Sequence, residues 1–411
     1  MNLKLQPTSG LSFVTHLECS ETGEEHNPER LLGLSRAAAP LLVRYNLSAV
    51  SKALSKQELA ARPADMWRYR EFLPIADVKC LVSLGEAMTP LISLWGSGLE
   101  ANNVVIKDEG RLPTGSFKAR GLALAVTMAM HHGVKRIAVP TAGNAGAAAA
   151  AYGARAGMET YVFTPQDTPD ITVREIGYHG ANVFRVNGLI DTCAKIVREG
   201  KPEMGWHDLS TLAEPYRIEG KKTMGLELAE QLGWELPDVI YYPTGGGTGF
   251  IGMWKAFAEL EAMGWVGSRK PRMVAVQTTG CAPIVKAFEH GLDHVPSPWT
   301  PAETNVHGVR VPKPLGDRLI LRVIRESNGF AATVSDEKAH ETRTKLAGEH
   351  GIHVCPEGAI CYAAYQTDLK LGRVKSNERV VLFNTASGLK SPMPKVLNVL
   401  DCTKPIDFRT L

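Results

Sequence analysis

Short apolar runs, each closed by glycine, proline, asparagine or aspartate and each separated from the next by a stretch of helical length, narrow the possible folds most. The runs are Asn103–Lys107, Arg136–Pro140, Thr160–Phe163, Asn182–Val186, Val239–Tyr242, Met273–Val276 and Val380–Phe383. Segments such as Phe117 to Met130 and Gly249 to Met263 lie between them. Strands that are apolar throughout, rather than alternating, need cover on both faces, and helices crossing over a parallel sheet supply it. The pattern therefore predicts an α/β protein with open, mostly parallel sheets. So many strands exceed one comfortable sheet, so two α/β domains with a cleft between them are expected. Residues 1–60 read as an irregular, polar N-terminal appendage, broken by one short strand at Leu41–Tyr45.

Composition excludes several classes. The 411 residues carry 46 Lys and Arg against 43 Asp and Glu, a net charge of +3 with no basic tail or stripe, so no nucleic-acid partner is expected. No apolar stretch reaches membrane-spanning length, and Met1 to Pro7 lack the apolar core of a secretory leader, which predicts a cytoplasmic protein. The seven cysteines are scattered and never spaced Cys-x-x-Cys; His350 and His353 have no acidic partner at metal spacing. Neither a disulfide framework nor a metal site is predicted.

Ligands of open α/β sheets bind beyond the carboxyl ends of the strands, and three loops there carry chemistry. Pro243-Thr244-Gly245-Gly246-Gly247-Thr248-Gly249 joins a strand to a helix. Its glycines let the backbone close on an anion, and the helix start offers free N–H groups with a favourable dipole, so Gly245, Gly246, Gly247, Thr248 and Gly249 form a candidate phosphate cup; the alternative is a glycine-rich turn with no ligand. Gly247 to Gly252 also fit G-x-G-x-x-G, but the next strand runs into Gln277-Thr278-Thr279 without the carboxylate a nicotinamide ribose needs. The second loop, Pro140-Thr141-Ala142-Gly143-Asn144, opens an alanine-rich helix. Thr141, Ala142 and Gly143 suit a carboxylate, while Asn144 either donates to a ligand oxygen or caps the helix. The third loop ends in Pro113-Thr114-Gly115-Ser116-Phe117-Lys118. A lysine at a helix start sits in a positive field, which lowers its pKa as Schiff-base chemistry requires; alone, Lys118 would pass for a solvated surface residue.

Taken together, these loops resemble the fold-type II pyridoxal-phosphate enzymes, which are tryptophan synthase β-like in fold, and within them the threonine synthase family. The likeness runs from about Leu41 to Pro392 and includes Glu214 to Thr223, Pro356-Glu357-Gly358-Ala359 and Asn384-Thr385-Ala386-Ser387-Gly388. The resemblance implies a pyridoxal 5'-phosphate cofactor bound to Lys118, its phosphate held by Gly245 to Gly249, its ring contacted by Asn144 and Thr385, and a small amino-acid substrate met by Thr141 to Gly143 and Arg217. It further implies a large cofactor-binding domain made of 61–124 and 216–411, a small mobile domain at 125–215, and a possible homodimer. The implied reaction is conversion of O-phosphohomoserine to threonine and phosphate. A β-eliminating or β-replacing enzyme of dehydratase type is the alternative, and a non-catalytic binding module of the same fold the third reading.

Two departures stand out. Where many threonine synthases begin with a zinc-ribbon-like region, this chain reads Cys19-Ser20-Glu21-Thr22 and Leu34-Ser35-Arg36-Ala37, a degenerate version without ligand pairs. At two positions where the family has hydroxyl residues toward the substrate phosphate, this chain has Ala145 and Leu212, which predicts weaker use of a phosphorylated substrate.

Overall fold

The computed structural model describes residues 12–75, 80–94, 103–393, 400–401, 403–406 and 408–410. Met1 to Pro7 and one of the seven cysteines, Cys402, lie outside these.

Two parallel sheets dominate. The larger has six strands in the order Phe330–Val334, Arg272–Thr278, Val239–Pro243, Val380–Asn384, Val104–Asp108 and Leu91–Ser93. All neighbours pair in parallel except the last, which is antiparallel to Val104–Asp108. The central strands Val239–Pro243 and Val380–Asn384 are buried at every residue, as strands covered on both faces must be. The smaller sheet runs Asn182–Val186, Glu159–Pro165, Arg136–Pro140 and His207–Asp208, all parallel.

Every expected strand is present, with ends shifted by two residues at most. The helices read at Phe117 to Met130 and Gly249 to Met263 span Lys118–His131 and Thr248–Ala262, and the alanine run lies inside a helix at Asn144–Arg155. There Ala147 to Ala151 are buried, and small side chains let the helix lie close on Arg136–Pro140 and Glu159–Pro165.

Residues 12–60, within the expected irregular appendage, are not irregular. Val14–Cys19, Glu25–His26 and Leu41–Tyr45 form a three-stranded antiparallel sheet, followed by helices Leu47–Ala53 and Lys56–Ala60. Leu17, Cys19, Leu41 and Val43 join the same apolar cluster as the helices beside the smaller sheet. The degenerate ligand positions meet: the Cys19 thiol donates to Ser35 Oγ at 3.1 Å and accepts from the Thr22 N–H at 3.5 Å. Among the described residues no three metal-ligating side chains come together, and no helix is long and apolar enough to cross a membrane.

Candidate active site

The carboxyl ends of strands from both sheets open into one cavity of about 720 Å³. Lys118, Thr141, Ala142, Gly143, Asn144, Gly245, Gly246, Gly247, Thr248, Gly249 and Thr385 all line it, so loops more than two hundred residues apart in sequence converge on one space.

Lys118 is the first residue of its helix. The turn before it is held tightly: Thr114 adopts φ +55°, a left-handed conformation uncommon for a non-glycine residue, and the Phe117 N–H donates to the Thr385 carbonyl at 3.0 Å. This ties the lysine to the strand end that carries Thr385. The amine rests 4.1 Å from the centre of the Phe117 ring. Burial, and after it repulsion from the Arg217 guanidinium, push the Lys118 amine down to about 7, while the Glu357 carboxylate pulls the other way. A neutral, nucleophilic amine near neutral pH is the consequence.

The glycine loop has the form of a cup. Gly247 sits at φ +74°, and a Cβ there would lie 2.3 Å from Ile320 Cδ1; a Cβ on Gly245 would lie 2.6 Å from the Gly308 carbonyl oxygen. Side chains are thus excluded from this stretch of the cavity wall, and Thr248 opens the helix that follows with its free N–H groups. This donor set fits a phosphate group.

The second loop is organised by its own threonine. Thr141 Oγ1 accepts the N–H groups of Gly143 at 2.9 Å and Gly146 at 3.1 Å, which leaves only the hydroxyl proton for a ligand. Asn144 is the first helical residue and its side chain caps nothing. Its amide faces the cavity without a hydrogen-bond partner among the described residues. Thr385 is buried, with Oγ1 3.8 Å from Cys355 Sγ.

Arg217 is the predicted residue that does not reach the wall. It is 1% exposed. Its Nη1 donates to the Leu209 carbonyl at 2.6 Å, whereas Nε and Nη2 are buried without partners. Leu212 also turns away from the cavity: it adopts φ +65° and packs in the main apolar core. The hydroxyl residues that line the cavity from this segment are Ser210, whose Oγ donates to Asp208, and Thr211. They follow a strand of two residues, His207–Asp208, too short to leave a sequence signal. Glu357 on the far wall accepts the Gly308 N–H at 2.8 Å. It stood inside a quoted motif, and only its place beside Lys118 marks it as part of the site.

Comparison with known proteins gives a consistent result. A family model described as pyridoxal-phosphate dependent enzyme matches residues 82–386. The chain is 32% identical over 377 residues to a threonine synthase of Methanocaldococcus jannaschii, covering 91% of this chain and 92% of the relative. It is 32% identical over 394 residues to a threonine synthase of Methanosarcina acetivorans, covering 95% of each. Among solved structures, maize serine racemase is similar with a TM-score of 0.63 at 20% identity, over 73% of this chain and 88% of that one. The processed form of threonine deaminase isoform 2 from Solanum lycopersicum gives 0.61 at 19% identity, over 79% and 92%. These two likenesses speak to the fold.

Proposed function

From the premise that this chain belongs to the pyridoxal-phosphate-dependent enzymes, with threonine synthases among its relatives, we propose that it converts O-phosphohomoserine and water to threonine and phosphate. The observation that carries the reading is the pairing of a low-pKa amine, Lys118, with the Gly245–Gly249 cup in one cavity.

When bound, the cofactor supplies an aldehyde for amines and a conjugated ring that accepts electrons from the substrate's α-carbon. Of the residues lining the cavity, Lys118 would hold the aldehyde, the N–H groups of Gly245 to Gly249 would hold the phosphate, and Asn144 and Thr385 would hold the ring through its polar atoms. A neutral hydroxyl at Thr385 would not hold a ring nitrogen protonated as a carboxylate would, and such a ring would favour elimination. The backbone of Thr141 to Gly143 takes the substrate carboxylate. As an amine with a lowered pKa in that cavity, Lys118 Nζ would serve as the base for the proton on the substrate's Cα. Across the whole reaction, the Cγ–O bond to phosphate breaks, Cβ loses a proton and Cγ gains one, the hydroxyl of water bonds to Cβ while its proton leaves with the phosphate, and Cα regains its proton. The 125–215 segment closes over the cavity and excludes bulk water.

The reading includes a cytoplasmic homodimer acting on a small amino acid. Six free cysteines among the described residues suit a reducing compartment, and twofold dimers are the commonest assembly. Borohydride reduction of the protein loaded with pyridoxal phosphate, followed by peptide mapping, tests the assignment. A stable adduct on Lys118 that is lost in Lys118→Ala is expected. An adduct on another lysine would overturn it.

A further inference from the structure

Behind the glycine cup, three buried ionisable groups, Lys221, Arg217 and Glu214, lie next to Lys118 on the cavity wall. Lys221 is fully buried. Its Nζ donates to Thr248 Oγ1 at 2.8 Å, its one hydrogen bond among the described residues. It also lies 5.0 Å from the centre of the Phe117 ring that Lys118 approaches, so two amines share one aromatic ring. Arg217, on the same helix Tyr216–Gln231, leaves Nε and Nη2 unpaired in this interior.

Lys222, the next residue, shows what a structural lysine looks like here. Its amine meets Glu219 at 2.7 Å and Glu259 at 2.9 Å. Among the described residues, Lys221 meets no carboxylate. The groups that face it are Lys118 at the start of Lys118–His131, Arg217 and Glu214 around the start of its own helix, and Thr248 at the start of Thr248–Ala262. Glu214 is the single acid of the set. Burial pushes its carboxyl up to about 7, against the pull of Arg217 and of the Tyr216 and Arg217 N–H groups it accepts. Three basic side chains around one partly ionised acid, all but Lys118 buried, must either shed protons or be met by an anion. Without the anion, burial first and then repulsion from Arg217 and Lys118 push the Lys221 amine well below its usual range.

We propose that Lys221 is a positioning residue for the cofactor phosphate: it takes up a proton when the anion enters the Gly245–Gly249 cup and supplies a buried positive charge through Thr248. This rests on the reading that the cup holds phosphate. The two lysines differ in what they face: Lys118 lines the cavity, where an aldehyde can reach it, while Lys221 is buried behind the cup against Thr248.

The test compares pyridoxal phosphate with pyridoxal, which has the aldehyde and ring but no phosphate. Apo-protein, Lys221→Met and Lys221→Gln are titrated with each by absorbance, and proton uptake is measured by calorimetry in two buffers of different ionisation enthalpy. For Lys221→Met, affinity for pyridoxal phosphate should fall about tenfold to a hundredfold, as expected for loss of a charged hydrogen bond, while affinity for pyridoxal stays within about twofold. Lys221→Gln, which keeps a donor for Thr248, should recover part of the loss yet take up about one proton fewer than the parent. Equal losses for both ligands would mark Lys221 as merely structural and overturn the proposal, as would unchanged proton uptake in both variants. If the parent itself binds pyridoxal phosphate no more tightly than pyridoxal, the phosphate-cup reading falls first and carries this proposal with it. Should Lys221→Met not fold, Lys221→Gln alone decides through its proton uptake.

Discussion

Lys118 and its neighbours show how burial sets reactivity at single residues. With its pKa near 7 rather than 10.5, the amine is mostly unprotonated just above neutrality. Aldehyde capture by the apo-protein should accelerate as pH rises through about 7 and then level off; a rise that continues toward pH 10 in rapid-mixing absorbance measurements would contradict this. Arg217→Met removes a nearby positive charge, so the Lys118 pKa should move up and capture at pH 7 should slow. The two missing hydroxyls separate in this light. Ala145 lines the cavity, and Ala145→Thr should improve use of O-phosphohomoserine by about tenfold, the effect of one hydrogen bond to a charged group. Leu212 lies in the core, and Leu212→Ser should lower stability by about 2–5 kcal/mol, read in denaturant unfolding, without helping the substrate. A gain in activity from Leu212→Ser would show that its side chain reaches the cavity after all.

Elements that bracket the cavity are joined by ion pairs as well as by backbone. Arg310 meets Asp167, beyond the strand Glu159–Pro165, at 2.7 Å, and Lys390 meets Glu175 on the helix Asp170–Tyr178 at 2.8 Å. Both pairs link the smaller sheet's surroundings to segments that follow the larger sheet. We expect Arg310→Ala to raise hydrogen exchange within 159–186, and a substrate analogue to lower it in the parent protein; exchange unaffected by either would argue against closure of this segment. The strands behind these loops were legible because each is an apolar run ending in glycine, proline or a polar turn. Val14–Cys19 was not, since only Leu17 and Cys19 of its six residues are buried and its other side chains are polar or half-exposed. Phe330–Val334 escaped for a similar reason: it lies at the sheet edge, is rich in alanine, and buries only Val334. Lys118, Asn144, the glycine loop and Thr385 could be read because they sit in or close the loops that follow strands. Lys221 was hidden because its role depends on how Tyr216–Gln231 packs against Lys118–His131 and Thr248–Ala262, and no local pattern encodes that.

At the scale of the whole molecule, two parallel sheets point their carboxyl ends at one cavity, and the chemistry is divided between them. The larger sheet brings the amine, the glycine cup and Thr385; the smaller brings the loop from Thr141 to Asn144. The same frame also suits dehydratases, which remove a β-hydroxyl and release a keto acid and ammonia, so product identity is the decisive observable. The most direct measurement loads the protein with pyridoxal phosphate, supplies O-phosphohomoserine, and quantifies phosphate and threonine together, with Lys118→Ala as control. The account predicts equal amounts of both products from the parent and none from the variant. Absence of phosphate and threonine, with keto acid and ammonia formed instead from threonine or serine, would contradict it.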